Sequence, residues 1–201
     1  MGLTPVADTQ VATIVTSLEM RDKPPLRPMP DSRLRLAEWV RPSPDKYRAL
    51  FRRVGEPWLW FSRLVMDEAR LLDIIHDPDV SIYAVTDASG IEVGMLELDF
   101  REPNACELSY FGLVPELAGR GNGRWLMAHA LHLAWIKWID RVWVHTCTLD
   151  HPRALGFYLA AGFTAYKRTI ETFDDPRVAG LLPADAAPHV PLLAGVPASR
   201  R

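Results

Sequence analysis

The stretch that decides the fold spans residues 113–124 and reads Leu113-Val114-Pro115-Glu116-Leu117-Ala118-Gly119-Arg120-Gly121-Asn122-Gly123-Arg124. Strand-forming residues precede it, and a long apolar run typical of a helix follows it. Glycine permits a positive φ and lets backbone N–H groups approach a ligand closely. The start of a helix adds unpaired donors and a partial positive charge, and Arg120 and Arg124 add full charges. The turn therefore predicts a binding site for a phosphate or pyrophosphate.

Two common phosphate-binding motifs do not fit this turn. A Walker A loop requires Gly-Lys-Ser or Gly-Lys-Thr, and neither occurs in the chain. A dinucleotide-binding G-x-G-x-x-G motif would need glycine at position 124 or 126, where Arg124 and Leu126 stand. From the turn alone, a glycine-rich helix entry without a ligand remains the alternative.

Outward from the turn, the sequence alternates between strand and helix patterns. Apolar spacing predicts helices over residues 47–54, over 62–76, from the glycines to Ile139, and over 151–161. β-Branched or alternating runs predict strands over residues 33–40, 80–85, 91–98, 106–114, 141–147 and 163–171, with 11–16 as a further candidate. This order indicates one α/β (α+β) domain.

Composition limits the function classes. The formal net charge of -2 over 201 residues does not favour tight nonspecific binding of nucleic acid. The first residues show neither a basic start nor an unbroken apolar run, so we expect no secretory signal, no membrane partner and a cytoplasmic location. The two cysteines, Cys106 and Cys147, fall near opposite ends of neighbouring strands, which indicates reduced core residues rather than a disulfide.

Two motifs in the same order resemble those of the GNAT family of N-acetyltransferases. In that family a strand ends in a Val-x-Pro-like turn, and Q/R-x-x-G-x-G/A and a long helix follow. The corresponding residues here are 118–123, with Ala118 where the family usually has Gln or Arg. The second family motif is A-x-x-x-Y-x-x-x-G-F, which Ala154, Tyr158, Gly162 and Phe163 match in register, while His151 stands where Asn is usual.

The resemblance covers about residues 33–171 and implies a mixed, mostly antiparallel sheet whose two central parallel strands splay apart, with helices on both faces. We therefore divide the chain into an N-terminal extension (1–32), the acetyltransferase domain (33–171) and a Pro/Ala-rich tail (172–201). In the family, acetyl-CoA occupies the gap between the splayed strands. The residues that the resemblance assigns to it are Phe111, Gly112, Leu113, Ala118, Gly119, Arg120, Gly121, Asn122, Gly123, Arg124, His151 and Tyr158.

Acetyl transfer needs a base that removes a proton from the amine and a donor for the departing thiolate. Tyr158 matches the family tyrosine that points at the cofactor sulfur, and a phenol stays protonated at neutral pH. For the base, the resemblance favours Glu107, which stands six positions before Leu113, as the catalytic glutamate does in the histone-acetylating branch. Glu97 is its rival, and His145 and His151 are further alternatives.

The acceptor pocket of the family commonly lies between the first two helices, where Trp58 and Trp60 stand. These rings would suit an apolar amine or a cation, although core packing of the amphipathic helices is the simpler explanation. Asp99 and Tyr110 are candidates to orient the acceptor. His129 and His132 lie three residues apart on one helix, but no Cys, Asp or Glu follows at ligand spacing, so we expect no metal.

The sequence thus predicts an acetyl-CoA-dependent N-acetyltransferase that acts on a primary amine of a small molecule or peptide. One alternative is a catalytically silent acyl-CoA-binding or regulatory module on the same fold. Another is an enzyme that acetylates protein lysines or N-termini. We also expect a possible homodimer, because prolines flank the domain and its predicted helices present apolar surface.

Overall fold

The computed structural model describes residues 2–25, 28–136 and 138–193. Within these ranges the chain forms seven strands and four α-helices. The strands are β1 (Gln10–Met20), β2 (Arg35–Glu38), β3 (Val80–Thr86), β4 (Glu92–Asp99), β5 (Ala105–Leu113), β6 (Arg141–Cys147) and β7 (Thr164–Asp174). The helices are α1 (Pro44–Gly55), α2 (Glu68–Ile75), α3 (Asn122–Ala134) and α4 (Ala154–Ala160), and short 3-10 turns occur at Glu56–Trp58 and Pro115–Leu117.

The strands form one mixed sheet in the order β2-β3-β4-β5-β6-β1-β7. Neighbouring strands are antiparallel except β5 and β6, which run parallel. These two pair only from Ala105 opposite Arg141 to Glu107 opposite Trp143, and beyond that point they separate. The predicted fold, with splayed central parallel strands in a mostly antiparallel sheet, is confirmed.

Helices cover both faces of the sheet, as predicted. On the face that we call the front, α1 and α2 bury Phe51 and Leu71 against Ile82 of β3. On the opposite or back face, α3 and α4 bury Leu126 and Tyr158 against strands β4 to β6. Successive strand residues point to opposite faces, so a residue's position in its strand decides which core it joins.

The first two helices begin where side chains cap them. The Ser43 side chain accepts a hydrogen bond from the Lys46 amide, and Pro44 occupies the first turn of α1. The Asp67 side chain accepts from the Arg70 amide and so sets the start of α2 at Glu68. Our predicted start at residue 62 was wrong, because residues 62–66 form turns before this cap.

Helix α3 ends at Ala134, well before the predicted end at Ile139. Trp135 leaves the helical region with φ -85° and ψ 63°. Its ring is buried at 6% exposure, and its carbonyl oxygen accepts a hydrogen bond from Lys23 Nζ at 2.9 Å. Trp135 therefore packs into the core just after the helix has stopped, whereas Ile136 and Trp138 of the same apolar run are exposed. Lys137, also within the predicted helix, lies outside the described residues.

Both terminal segments contribute to the fold. Residues 10–20 form β1 between β6 and β7, which confirms the candidate strand at 11–16. This strand comes from the predicted N-terminal extension, and β7 runs through Asp174 into the predicted tail, of which residues 194–201 lie outside the described residues. The division into extension, domain and tail stays a prediction. Cys106 and Cys147 are free thiols.

No helix in the described ranges has both the length and the apolar character needed to cross a membrane.

Candidate active site

A cavity of ≈ 1150 Å³ occupies the gap between β5 and β6. Phe157 and Tyr158 of α4 line it from the back face, whereas Glu107 and His145 line it from the front. The cavity therefore joins the two faces through the sheet. Because the strands no longer pair there, backbone groups that face the gap lack strand partners, which favours occupation by a ligand.

The predicted phosphate-binding turn lies at the back end of this cavity. Gly119 and Gly121 adopt φ values of +78° and +82°, a region that other residues rarely adopt. Within the described part of the chain, the backbone N–H groups of residues 119–123 donate no hydrogen bond. Consecutive unpaired donors at the start of α3 form a concave site for an anion.

Two arginines stand beside the turn. Arg124 lines the cavity, and Arg153 approaches Gly119 so closely that its Nη2 would lie 3.8 Å from a Cβ atom there. The sequence analysis missed Arg153, although a basic residue directly before α4 was the available signal. Arg120 and Asn122 do not line the cavity, and the Asn122 side chain instead donates to the Leu117 carbonyl oxygen at 3.2 Å, which holds the turn in shape.

The β5 residues that we assigned to the cofactor lie along the gap. Phe111, Gly112 and Leu113 line the cavity, and the Phe111 ring lies 5.8 Å from that of Phe157. Gly112 is required by packing, since a Cβ atom there would lie 2.7 Å from Val54 Cγ1 of α1. This strand edge offers the free backbone groups that an extended amide chain could pair with.

Tyr158 is placed where a proton donor could meet the reacting atoms. Its side chain lines the cavity, and its residue is only 6% exposed. Within the described residues the Tyr158 hydroxyl makes no hydrogen bond, and its oxygen is not fully buried. The hydroxyl therefore opens onto the cavity. Burial raises the pKa of Tyr158 above its ordinary value, so the phenol stays protonated at neutral pH.

Glu107 and His145 form a pair at the front of the gap. Glu107 Oε1 lies 3.4 Å from His145 Nδ1, across the short parallel pairing of β5 and β6. The Glu107 carboxylate is the largest cause of the raised pKa of His145, and Asp150 and Glu171 add to it against the effect of burial. The two side chains are 22% and 49% exposed, so cavity solvent or a ligand can reach both.

Glu97, the rival candidate base, lies outside the cavity lining and is fully buried under α1. Its Oε1 accepts a hydrogen bond from Arg63 Nη2 at 2.6 Å, and its Oε2 accepts one from the Tyr47 hydroxyl at 2.5 Å. Both carboxylate oxygens are thus occupied by protein partners. The geometry favours Glu107 over Glu97 as the group that reaches an acceptor.

Asp99 and Tyr110 both line the cavity, each with a protein partner. Although burial opposes it, hydrogen bonds from Arg101 hold the pKa of Asp99 below its ordinary range. The Tyr110 hydroxyl lies 2.5 Å from Ser62 Oγ. A bulge shifts the pairing of β4 and β5 between Glu97–Tyr110 and Leu98–Leu108, which turns Tyr110 to the same face as Glu107.

Trp58 and Trp60 line the front of the cavity, so the structure brings both to the predicted acceptor region. The Trp60 ring lies 5.2 Å from that of Tyr110, and its Nε1 lies 3.5 Å from Asp150 Oδ1. The Trp58 ring lies 5.5 Å from His151, another cavity residue, whose Nδ1 accepts a hydrogen bond from the Arg153 amide. The Trp58 and Trp60 rings therefore both pack against neighbouring side chains and line the cavity.

The sequence analysis did not find Asp150 or Glu171, which also line the cavity. Asp150 directly follows the end of β6, and its Oδ2 accepts hydrogen bonds from Thr146 Oγ1 and the Cys147 amide. A carboxylate just past the end of a central strand was a readable signal. Glu171 lies on β7 opposite Thr13, and its position depends on β1 being inserted, which no local pattern indicates.

Among the described residues, no group of three or more His, Cys, Asp and Glu side chains is arranged to hold a metal ion.

Comparison with known proteins identifies the family. Residues 45–163 match the family model described as the acetyltransferase (GNAT) family. No curated protein matches the chain. Among solved structures, a GCN5-related N-acetyltransferase from Sphaerobacter thermophilus superposes with a TM-score of 0.58 at 17% identity, over 82% of this chain and 52% of that protein. The chain thus spans about half the length of that relative.

Two further structures resemble the chain over most of their own length. An aminoglycoside acetyltransferase from an uncultured soil metagenomic sample, in complex with trehalose, has a TM-score of 0.55 at 16% identity, over 69% of this chain and 93% of that one. A dodecameric spermidine N-acetyltransferase from Vibrio cholerae has a TM-score of 0.52 at 20% identity, over 74% and 97%. At these identities the structures show the shared fold, whereas the family match covers more than half of the sequence. The chain belongs to the acetyltransferase (GNAT) family.

Proposed function

We propose that the protein transfers the acetyl group of acetyl-CoA to a primary amine of a small molecule or peptide. The observation that carries this proposal is the cavity through the sheet. It joins the unpaired amides of residues 119–123 on the back face to the Glu107–His145 pair on the front, with Tyr158 along its length.

The chain offers binding groups for each part of acetyl-CoA. The amides of residues 119–123, with Arg124 and Arg153 beside them, would bind the pyrophosphate. The free edge of β5 at Phe111, Gly112 and Leu113 would pair with the amides of the pantetheine arm. Arg120 and Asn122 would contribute only their amides, because neither residue lines the cavity and the Asn122 side chain donates to the Leu117 carbonyl oxygen instead.

The Glu107–His145 pair would accept the proton of the attacking amine. Glu107 contacts Nδ1, so a proton on that atom leaves Nε2 as the basic nitrogen of the neutral imidazole. The raised pKa of His145 then suits a base that works near neutral pH. Glu107 stabilises the imidazolium that forms, so the two residues act together, and Glu107 need not take the proton itself.

In the reaction the amine nitrogen attacks the thioester carbonyl carbon and a new C–N bond forms. The C–S bond then breaks, and the electron pair leaves on the sulfur. The amine proton goes to the Glu107–His145 pair, and the thiolate receives a hydrogen bond from the Tyr158 hydroxyl as its charge develops. The thiolate takes up a proton from solvent as the Glu107–His145 pair releases its own, so the products are an acetamide and coenzyme A with a free thiol.

The two named relatives support an amine acceptor, since one acetylates aminoglycosides and the other spermidine. We extend only the shared chemistry to this chain, which is the acetylation of an amine, and we propose separately that the enzyme is cytoplasmic. The aromatic and acidic residues around the front of the cavity, among them Trp60 and Asp150, are suited to hold an ammonium group before it loses its proton.

A coupled thiol assay tests this function. The purified protein is mixed with acetyl-CoA and a panel of amino acids, polyamines, aminoglycosides, arylalkylamines and short peptides, and release of free coenzyme A is followed. We expect release that depends on both the amine and the protein. If the protein binds coenzyme A but no amine leads to thiol release, the protein is a silent acyl-CoA-binding module and not an enzyme. Release with peptides alone would favour a protein acetyltransferase.

A further inference from the structure

The chain that follows β7 folds back beside the front of the cavity. Arg177 holds this segment in place from within, because its Nη2 lies 2.7 Å from Asp175 Oδ2 and the two side chains are 1% and 4% exposed. Arg177 Nη1 also donates to the carbonyl oxygens of Ala186 and Val190, at 3.1 and 2.8 Å. One buried guanidinium thus closes residues 175–190 into a compact loop.

This loop packs on residues that line the cavity. Leu182, Ala186 and Ala187 form a buried cluster with Leu59 and Leu149. Both leucines are cavity residues, and Leu59 has the left-handed φ of 56° that ends the preceding 3-10 turn. The C-terminal loop therefore packs against the 58–61 segment and stabilises its position. The loop itself lies beyond residue 163, where the family match ends.

Two aromatic contacts extend this support to the cavity surface. The His189 ring lies 5.9 Å from that of Trp58, and His189 Nε2 lies 3.1 Å from the Leu149 carbonyl oxygen. The Phe173 ring of β7 stacks on Phe61 with ring centroids 4.7 Å apart. Each contact fixes a ring that lines the cavity on its front side.

We propose that five cavity residues form an apolar acceptor wall, which selects amines with an apolar group beside the reacting nitrogen. The C-terminal segment from Phe173 to His189 contributes one of these residues and holds the others in place. The acceptor wall consists of Trp58, Leu59, Phe61, Leu149 and Phe173. This inference rests on the proposed acetyl transfer and deepens it, because it names the part of the chain that reads the acceptor. Phe173 contacts the acceptor directly, whereas His189 is a positioning residue that acts through Trp58.

Because of its location, the acceptor wall would contact the bound amine and not the cofactor. The wall lies on the front side, with the Glu107–His145 pair, whereas the glycine turn and Tyr158 lie on the back side. Its five side chains are apolar or aromatic, so an alkyl or aryl group placed against them is removed from water. A hydroxyl placed against the hydrocarbon side chains of the wall would lose hydration without finding a hydrogen-bond partner among them.

The test compares 2-phenylethylamine with ethanolamine, which share the aminoethyl group and differ in the attached phenyl or hydroxyl. We measure kcat/KM for both amines, and the quenching of tryptophan fluorescence by both in the presence of coenzyme A. Three variants are compared with the wild type: Phe173→Ala, His189→Ala and the control Val178→Ala, a residue of the same segment that is 43% exposed.

We expect the wild type to favour 2-phenylethylamine by at least about tenfold in kcat/KM and in binding. Phe173→Ala should reduce that preference by roughly fivefold or more, and His189→Ala should raise the KM for 2-phenylethylamine severalfold with kcat and the KM for acetyl-CoA little changed. Val178→Ala should match the wild type.

Equal binding of the two amines by the wild type, or an unchanged preference in both variants, would overturn the acceptor wall. Absence of thiol release from every amine counts against acetyl transfer instead, because the fluorescence titration measures acceptor binding without turnover. The two failures are therefore distinguishable.

Discussion

Replacing Glu107 by glutamine should slow acetyl transfer and move its pH dependence. Glutamine keeps the size of the side chain but removes the negative charge 3.4 Å from His145 Nδ1. At that separation an imidazolium and a carboxylate attract by about 5 kcal/mol for an effective dielectric constant of about 20. Because the His145 side chain is 49% exposed, water screens the pair, and we take about 1–2 kcal/mol as the interaction lost.

If this interaction stabilises the imidazolium as the amine proton arrives, its loss lowers kcat by roughly 5- to 30-fold. The pH dependence follows from the raised pKa of His145. Only the neutral imidazole accepts the proton, so activity rises as the pH passes the pKa. Without the carboxylate that pKa falls toward its ordinary value, and the acid limb of kcat/KM moves to lower pH.

Thiol release is measured for both proteins between about pH 5 and about pH 9, with far-UV circular dichroism to verify folding. Glu38→Gln, an exposed carboxylate on β2, is the matched control and should behave as the wild type. The double variant Glu107→Gln with His145→Ala should be little slower than His145→Ala alone, because the two residues act as one unit. An unmoved acid limb together with a kcat within about twofold of the wild type would refute the role of the pair.

Three further predictions address single residues. Tyr158→Phe removes the donor that opens onto the cavity and should lower kcat by roughly 10²–10⁴-fold, while calorimetry shows an unchanged Kd for coenzyme A. Gly121→Ala places a Cβ atom on a residue with φ +82°, so the turn of the variant relaxes when no ligand is bound. Returning the turn to the conformation that binds the phosphate costs about 1–2 kcal/mol, and calorimetry should show coenzyme A binding weakened by roughly 5- to 30-fold. Glu97→Gln leaves the buried Arg63 guanidinium without its counter-charge, so thermal unfolding should show a loss of about 3–5 kcal/mol, or roughly 6–20 °C in Tm; an unaltered Tm would contradict the buried pair.

The sequence predicted the fold well where local pattern and chemistry agree. The order of strands and helices followed from the periodicity of the apolar residues. The glycine turn followed from three alternate glycines, which permit backbone φ values that other residues rarely adopt. The end of α3 did not follow, because the run Trp135, Ile136, Trp138 and Ile139 contains no glycine or proline to mark where a helix stops. The start of α2 could have been read from Asp67, since a capping residue marks a helix start.

The candidate site was less accessible to sequence reasoning, because its parts meet through long-range pairing. Strict alternation along β5 would turn Glu107 and Tyr110 to opposite faces, and only the bulge between them brings both to the front. The contact between Glu107 and His145 depends on a parallel register of three residue pairs. Glu97 was the rival of Glu107 in the sequence, and no local pattern shows that Arg63 and Tyr47, from other parts of the chain, bind both of its carboxylate oxygens.

The insertion of β1 between β6 and β7 has a consequence for how the chain matures. Thr13 hydrogen-bonds Thr148, 135 positions away, so β1 has no partner strand until β6 has been synthesised. At about 5–20 residues per second, that wait lasts many seconds, during which an eleven-residue β-forming segment is open to self-association. Such distant pairing also slows refolding. Expression yield should therefore depend on chaperone supply, and a bulky fusion placed directly before Gln10 should lower it more than the same fusion after the C-terminal loop.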